Sequence, residues 1–202
     1  MAFICKNLEN RNSMNSRKKE LKINHITGTG LMSAILCILG PITIPIGMVP
    51  IGFTGIGIYL SLFLIGKKKT VTAVFIYLLI GLVGLPVFSG FTAGPGKIFG
   101  PTGGYLVGYL LSAYVCGSLM EKEKNKESLK RIKKIGCFII LLIGNLILYL
   151  VGVFWLAKVS GVTMENAIRI GVLPFIFPDL LKNIIVISLG SELKRRLRNV
   201  EM

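Results

Sequence analysis

After a polar start, apolar runs and short polar connections alternate along the chain. Residues 1–27 are polar and basic, with Lys6, Arg11, Arg17, Lys18, Lys19 and Lys22. Six apolar segments follow, at about 28–46, 50–66, 70–86, 101–120, 135–157 and 172–191. Each approaches the ~20 residues that a helix needs to cross a bilayer. The second and third are short, and would cross with snorkelling flanks or a locally thinned bilayer. Pro41 and Pro45 interrupt the first, so its outer end is expected to unwind; such backbone is tolerated at membrane depth where protein or a cavity surrounds it. No small-x-small cleavage site follows the first apolar run, so the basic start reads as a retained tail. The expected fold is an all-α integral membrane protein of six transmembrane helices. It divides into a tail at 1–27, a membrane domain at 28–191 and a second basic tail at 192–202.

Composition supports that reading and narrows it. Of 202 residues, 52% are hydrophobic and 16% charged. Mean hydropathy is +0.71. So high an apolar content excludes intrinsic disorder. The formal net charge is nevertheless +15, from 24 Lys and Arg against 9 Asp and Glu. Water-facing surfaces mix many charges of both signs, which this chain lacks.

The position of each charge resolves the excess. The N-terminal tail, Lys67–Lys69, the 121–134 connection and the C-terminal tail together hold twenty basic residues. The alternate connections hold three, Lys97, Lys158 and Arg169. Basic loops stay cytoplasmic, which predicts both termini inside. Nucleic acid drops out as a partner, because it requires one folded basic face. The lipid bilayer takes its place.

One basic residue remains, Lys182, and one acid within a span, Asp179. They lie three residues apart, on one helix face, with Asp179 about 10 Å from the outer end of the last segment at 1.5 Å per residue. Pro178 suits a first helical turn, so the regular helix is expected to begin at Asp179. Ionisable groups inside a membrane usually mark a substrate or ion pathway. The bland alternative is a self-neutralising pair that pins a helix contact. The 87–105 stretch is rich in Gly and aromatic residues, with Phe88, Gly90, Phe91, Gly94, Phe99, Gly103, Gly104 and Tyr105. Glycine permits close backbone approach to a ligand; ordinary turns explain the composition equally well. Asn145, in the fifth segment, suits a bond to a neighbouring helix or to a ligand.

Several chemistries are excluded. Gly96-Lys97 is not a phosphate loop, because Phe91 and Ile98 stand where Gly and Ser or Thr are required. The chain therefore carries no ATPase machinery of its own. The sole histidine, His25, lies in the basic tail, and the four cysteines form no C-x-x-C pair; no metal site or cofactor is expected. No catalytic motif occurs, and an enzyme is not expected. Small residues recur at four-residue spacing in the first segment, Gly30 with Ala34 and Ser33 with Cys37, a pattern that lets helices approach closely.

Four stretches carry a resemblance: Ile44-Pro45-Ile46-Gly47-Met48-Val49-Pro50, Gly84-Leu85-Pro86-Val87-Phe88-Ser89-Gly90, Gly100-Pro101-Thr102-Gly103-Gly104-Tyr105-Leu106 and Pro174 to Lys182. In order and spacing the chain resembles the BioY family, the biotin-binding S components of energy-coupling factor (ECF) transporters. The resemblance implies a six-helix S-component fold in the plasma membrane of a prokaryotic cell. It also implies a biotin pocket near the outer face, closed by loops. The implied partners are a transmembrane coupling subunit and two cytoplasmic ATPases. Biotin has an apolar body, a ureido group and a carboxylate, so its site needs aromatic walls, placed polar groups and a cation. Lys182 is then the expected carboxylate partner. Asp179 would orient Lys182 or accept from a ureido N–H. Asn145 and Tyr105 would add hydrogen bonds, Phe88 would pack on the ligand, and Gly90, Gly94, Gly103 and Gly104 would close backbone over it. The faces of Gly30/Ala34 and Ser33/Cys37 would dock the coupling subunit. Gly52 and Thr54 stand where family members often carry Thr and Gln, which puts polar contacts from that segment in doubt. Alternatives are an S component for another carboxylated vitamin such as lipoate, or a proton-coupled carrier.

Overall fold

The computed structural model describes residues 26–46, 48–124 and 130–200. The N-terminal tail up to residue 25, the centre of the basic 121–134 connection and the last two residues lie outside them. The helices are α1 (Ile26–Leu39), α2 (Thr54–Leu64), α3 (Lys67–Val83), α4 (Pro95–Phe99), α5 (Gly103–Lys124), α6 (Lys130–Ser160), α7 (Met164–Gly171) and α8 (Leu173–Val200). Two short strands, β1 (Thr43–Ile44) and β2 (Ile51–Gly52), pair antiparallel.

The six apolar segments correspond to α1, α2, α3, α5, α6 and α8. Among the described residues, three stretches are both long and apolar enough to cross a membrane: Gly103–Glu123, Lys134–Ser160 and Met164–Leu193. The others are shorter for visible reasons. Pro41 and Pro45 end α1, and the chain turns into the β1–β2 hairpin instead of a further helical turn. Lys67–Lys69 were expected in a loop but form the first turn of α3, because only Ile65 and Gly66 separate α2 from α3. Gly66 makes that corner at φ 77°, a value that favours glycine. The 158–171 connection contains α7, capped by Thr163, whose hydroxyl accepts from the Asn166 N–H.

The start of α8 also differs from expectation. The helix begins at Leu173, not Asp179, and Pro178 lies inside it. The Phe175 and Ile176 N–H groups both donate to the Val172 carbonyl, which opens the helix one turn earlier. Pro174 fills the first-turn position that suits proline. Pro178 forgoes one backbone bond.

The most extensive helix contact joins α5 and α6. A side chain on Gly104 would collide with Trp155, and one on Gly152 with the Tyr105 ring. The absence of a Cβ thus sets how closely these helices approach. Trp155 Nε1 donates to the Gly100 carbonyl at 3.0 Å, and the Tyr105 hydroxyl to Gly171 at 2.9 Å. Ser33 ties α1 to α3 through the Ala73 carbonyl at 3.3 Å. The larger apolar core includes Leu36, Ile58, Phe88, Leu141 and Val186. A smaller one, with Leu156 and Phe175, sits near the hairpin and α7.

Candidate ligand-binding site

A cavity of about 60 Å³ opens where the β1–β2 hairpin, the starts of α2, α5 and α8, the second half of α3 and the second half of α6 converge. Successive long helices run in opposite directions, so this end lies opposite the α2–α3 corner, beside which α3 opens with Lys67–Lys69. Its rim includes the hydroxyl residues Thr43, Thr54, Ser89 and Thr102. Its walls are aromatic: Tyr77, Tyr105, Tyr109, Tyr149 and Phe175. Asp179 and Lys182 form the polar end.

Asp179 and Lys182 lie on the same face of α8, as their spacing requires. Lys182 Nζ donates to Asp179 Oδ1 at 2.7 Å, with both side chains largely buried, 14% and 13% exposed. The Tyr149 hydroxyl donates to Asp179 Oδ2 at 2.6 Å. Both carboxylate oxygens therefore have a partner. Asp179 orients Lys182, and the pair carries no net charge in its ionised form. The ammonium has two further hydrogens to offer.

A second cavity, of about 20 Å³, adjoins the first and shares Tyr109, Leu148, Asp179 and Lys182 with it. Asn145 lines this annex. The Tyr59 hydroxyl donates to Asn145 Oδ1 at 2.8 Å and lies 3.1 Å from Ser112 Oγ. Tyr59 has a single hydroxyl proton, given to Asn145, so Ser112 is the donor in the second bond.

Of the residues the sequence put forward, Asp179, Lys182 and Tyr105 meet in the main cavity and Asn145 in the annex. The Tyr105 hydroxyl is engaged by Gly171, so this residue offers the cavity its ring. Phe88 does not line either cavity. It is fully buried against Gly81 and edge-on to Tyr77, with ring centroids 5.7 Å apart, anchoring the 84–94 loop. Gly90 and Gly94 also lie outside both linings; φ values of 72° and 85° make them turn glycines. Gly103 and Gly104 pack against Ile98 and Trp155. Phe91 and Phe99 project outward, 72% and 67% exposed. Lys97, on α4, is partly buried, and loss of water around it pushes its ammonium pKa down. In α1, Gly30 and Ala34 are exposed. Ser33 faces the interior and Cys37 packs against the core. The two pairs therefore share no single outward face.

Sequence reasoning passed over Tyr109, Tyr149, Tyr77 and Asn183. A signal existed. Tyr105 and Tyr109, Asn145 and Tyr149, and Asp179 and Asn183 are each four residues apart, so each pair lies on one helix face. Thr54 also reverses an expectation: both Gly52 and Thr54 line the cavity, so this segment keeps a hydroxyl there.

Comparison with known proteins identifies the family and the fold. The model of the BioY family matches residues 13–199. The chain is 35% identical over 176 residues to "Biotin transporter BioY2" of Lactococcus lactis subsp. cremoris, covering 87% of this chain and 93% of the relative. It is 37% identical over 166 residues to "Biotin transporter BioY" of Thermotoga maritima, covering 82% and 93%. Among solved structures, the S-component for biotin from an ECF-type ABC transporter superposes with a TM-score of 0.79 at 30% identity, over 87% of this chain and 93% of that one. The S component of a bacterial ECF transporter gives 0.61 at 18% identity, over 89% and 98%, a likeness of fold.

Proposed function

The chain belongs to the BioY family, and from that premise we propose that it is the substrate-capture subunit of a biotin uptake transporter. It binds the vitamin and performs no catalysis. The observation that carries the reading is the aromatic-walled cavity ending in the buried Asp179–Lys182 pair. Such a cavity suits a small ligand with an apolar body and a few polar groups.

In this reading six helices, α1, α2, α3, α5, α6 and α8, span the plasma membrane of a prokaryotic cell. Both termini lie in the cytoplasm, and the cavity faces outward. The twenty-to-three distribution of basic residues supports that orientation. Transport then requires a transmembrane coupling subunit and two ATPases, because the chain has no phosphate loop. The exposed Gly30 and Ala34 of α1 offer a smooth surface for docking.

The geometry also refines how biotin sits. A lone lysine would favour the carboxylate. Here Lys182 is already neutralised by Asp179, and the couple presents a donor beside an acceptor. A ureido group has both, so it matches the couple better than a carboxylate, which Asp179 would repel. We therefore place the ureido group at Asp179 and Lys182. The carboxylate is left to the hydroxyls of Thr43, Ser89 and Thr102 at the rim.

Equilibrium binding to the detergent-purified protein tests the function. Biotin should bind and raise the melting temperature, as any ligand of the native state does. Lipoate should compete weakly. Absence of biotin binding, or stronger binding of lipoate, would overturn the reading.

A further inference from the structure

Asn183 follows Lys182 on α8 and is 1% exposed. Neither its amide nitrogen nor its amide oxygen has a hydrogen-bond partner among the described residues. A buried polar group left in that condition costs stability, so a native chain rarely keeps one without a partner. Asn183 lines the annex together with Tyr59, Tyr109, Asn145, Asp179 and Lys182. The annex holds about 20 Å³. A buried water needs roughly 10–15 Å³ and two to four polar neighbours. The carboxamide, the tyrosine hydroxyls and the spare ammonium hydrogens supply both donors and acceptors.

The geometry points to a structural water site in the annex, anchored by the Asn183 carboxamide, behind the Asp179–Lys182 pair. Asn183 is then a positioning residue. The water holds one of the hydrogens of Lys182, so the remaining one is directed into the main cavity. The water also closes the inner end of that cavity, so a ligand stops at the pair. This role in binding rests on the biotin reading; the water site itself does not.

The experiment pairs a crystal structure resolving ordered water with binding measurements on Asn183→Leu and Asn183→Ser. Leucine has nearly the same volume and no polar atom. Serine keeps a hydroxyl and leaves room for a second water. Density within hydrogen-bond distance of Asn183 is expected in the native annex, and none in N183L. The ligand-free N183L protein should melt below the native temperature, because loss of the water leaves one Lys182 hydrogen without an acceptor. Its biotin affinity should fall about tenfold, the value of one lost hydrogen bond to a charged group, with N183S recovering most of the loss. An annex without water, one filled by ligand atoms, or a native-like affinity in N183L would overturn the proposal. Failure of the native protein to bind biotin would instead overturn the function, and the density would still decide the water site.

Discussion

Lys182→Ala separates the two ways in which biotin can meet the polar end of the cavity. Lys182 and Asp179 are 2.7 Å apart and mostly buried. Removing the ammonium leaves a buried carboxylate held only by Tyr149. Breaking a buried pair from one side costs about 3–5 kcal/mol. For a chain of this size that is a fall of about 6–20 °C in melting temperature. Asp179→Asn combined with Lys182→Ala removes both charges and should recover most of it. Affinity is a separate measurement. Loss of the charge-assisted bond should weaken biotin by about 2–5 kcal/mol, which is roughly 30-fold to several thousand-fold. Calorimetry with biotin and with biotin amide, whose carboxylate is replaced by a neutral group, locates the contact. With the ureido group at Lys182, the mutation weakens both ligands by the same factor. With the carboxylate there, the native protein already binds the amide poorly and the mutation adds little. Unchanged affinity of the mutant for biotin would refute any role for Lys182 in binding, and an effect confined to biotin would refute the ureido placement.

Tyr149→Phe should cost about 1.5–3 kcal/mol of stability through the lost bond to the Asp179 carboxylate, read as a lower melting temperature of the ligand-free protein; native melting would contradict that bond. Gly81→Ala should displace the Phe88 ring and release the 84–94 loop, costing about 1–3 kcal/mol as an overpacked contact; native melting and native proteolysis of the loop would contradict that packing. Tyr59→Phe leaves the Asn145 and Ser112 side chains without their shared partner, at about 1–3 kcal/mol, and a mutant as stable as the native protein would show that the network contributes nothing. Cysteine placed at Lys97 should react with a membrane-impermeant maleimide on intact cells, and cysteine at Lys68 only after lysis; the reverse pattern would invert the proposed orientation.

The regular part of this fold was legible because bilayer length and charge placement are one-dimensional signals. The six apolar segments found their helices. What escaped was where local backbone chemistry competes with length. Lys67–Lys69 looked like a loop by charge, yet two residues sufficed for the corner, and the triplet continued into α3. Lys67 illustrates why a helix tolerates it: its ammonium lies 3.9 Å from the centre of the Tyr114 ring on α5, an attractive placement for a cation. At the start of α8, proline marked a helix beginning. Two prolines were present, and Pro174 rather than Pro178 filled that role. The site was legible in its charges and not in its hydroxyls. Asp179 and Lys182 stand out in an apolar segment, whereas Tyr109 and Tyr149 become visible only when four-residue spacings are compared across three helices. Phe88 and the loop glycines were put forward as ligand contacts on the family resemblance, composition alone leaving ordinary turns equally open. In the fold Phe88 packs on Gly81 and none of them lines either cavity, an arrangement that composition does not distinguish from packing on a ligand.

The charge of the chain and the charge of the site obey different constraints. In the proposed orientation the basic excess falls almost wholly on one side, where the positive-inside rule accounts for it. Within the cavity a single unpaired lysine would face a desolvation cost of several kcal/mol. Asp179 removes that cost and so fixes the site as neutral. A neutral site gains little from the long-range attraction that a basic surface exerts on anions. Selection must then come from short-range fit: a donor beside an acceptor at the Asp179–Lys182 end, aromatic walls for the apolar body and hydroxyls at the rim. If that is how selection works, raising the salt concentration should leave biotin affinity nearly unchanged, since a buried neutral pair is screened far less than an exposed cation. A steep fall of affinity with salt would show instead that an exposed lysine, and not the buried pair, captures the ligand.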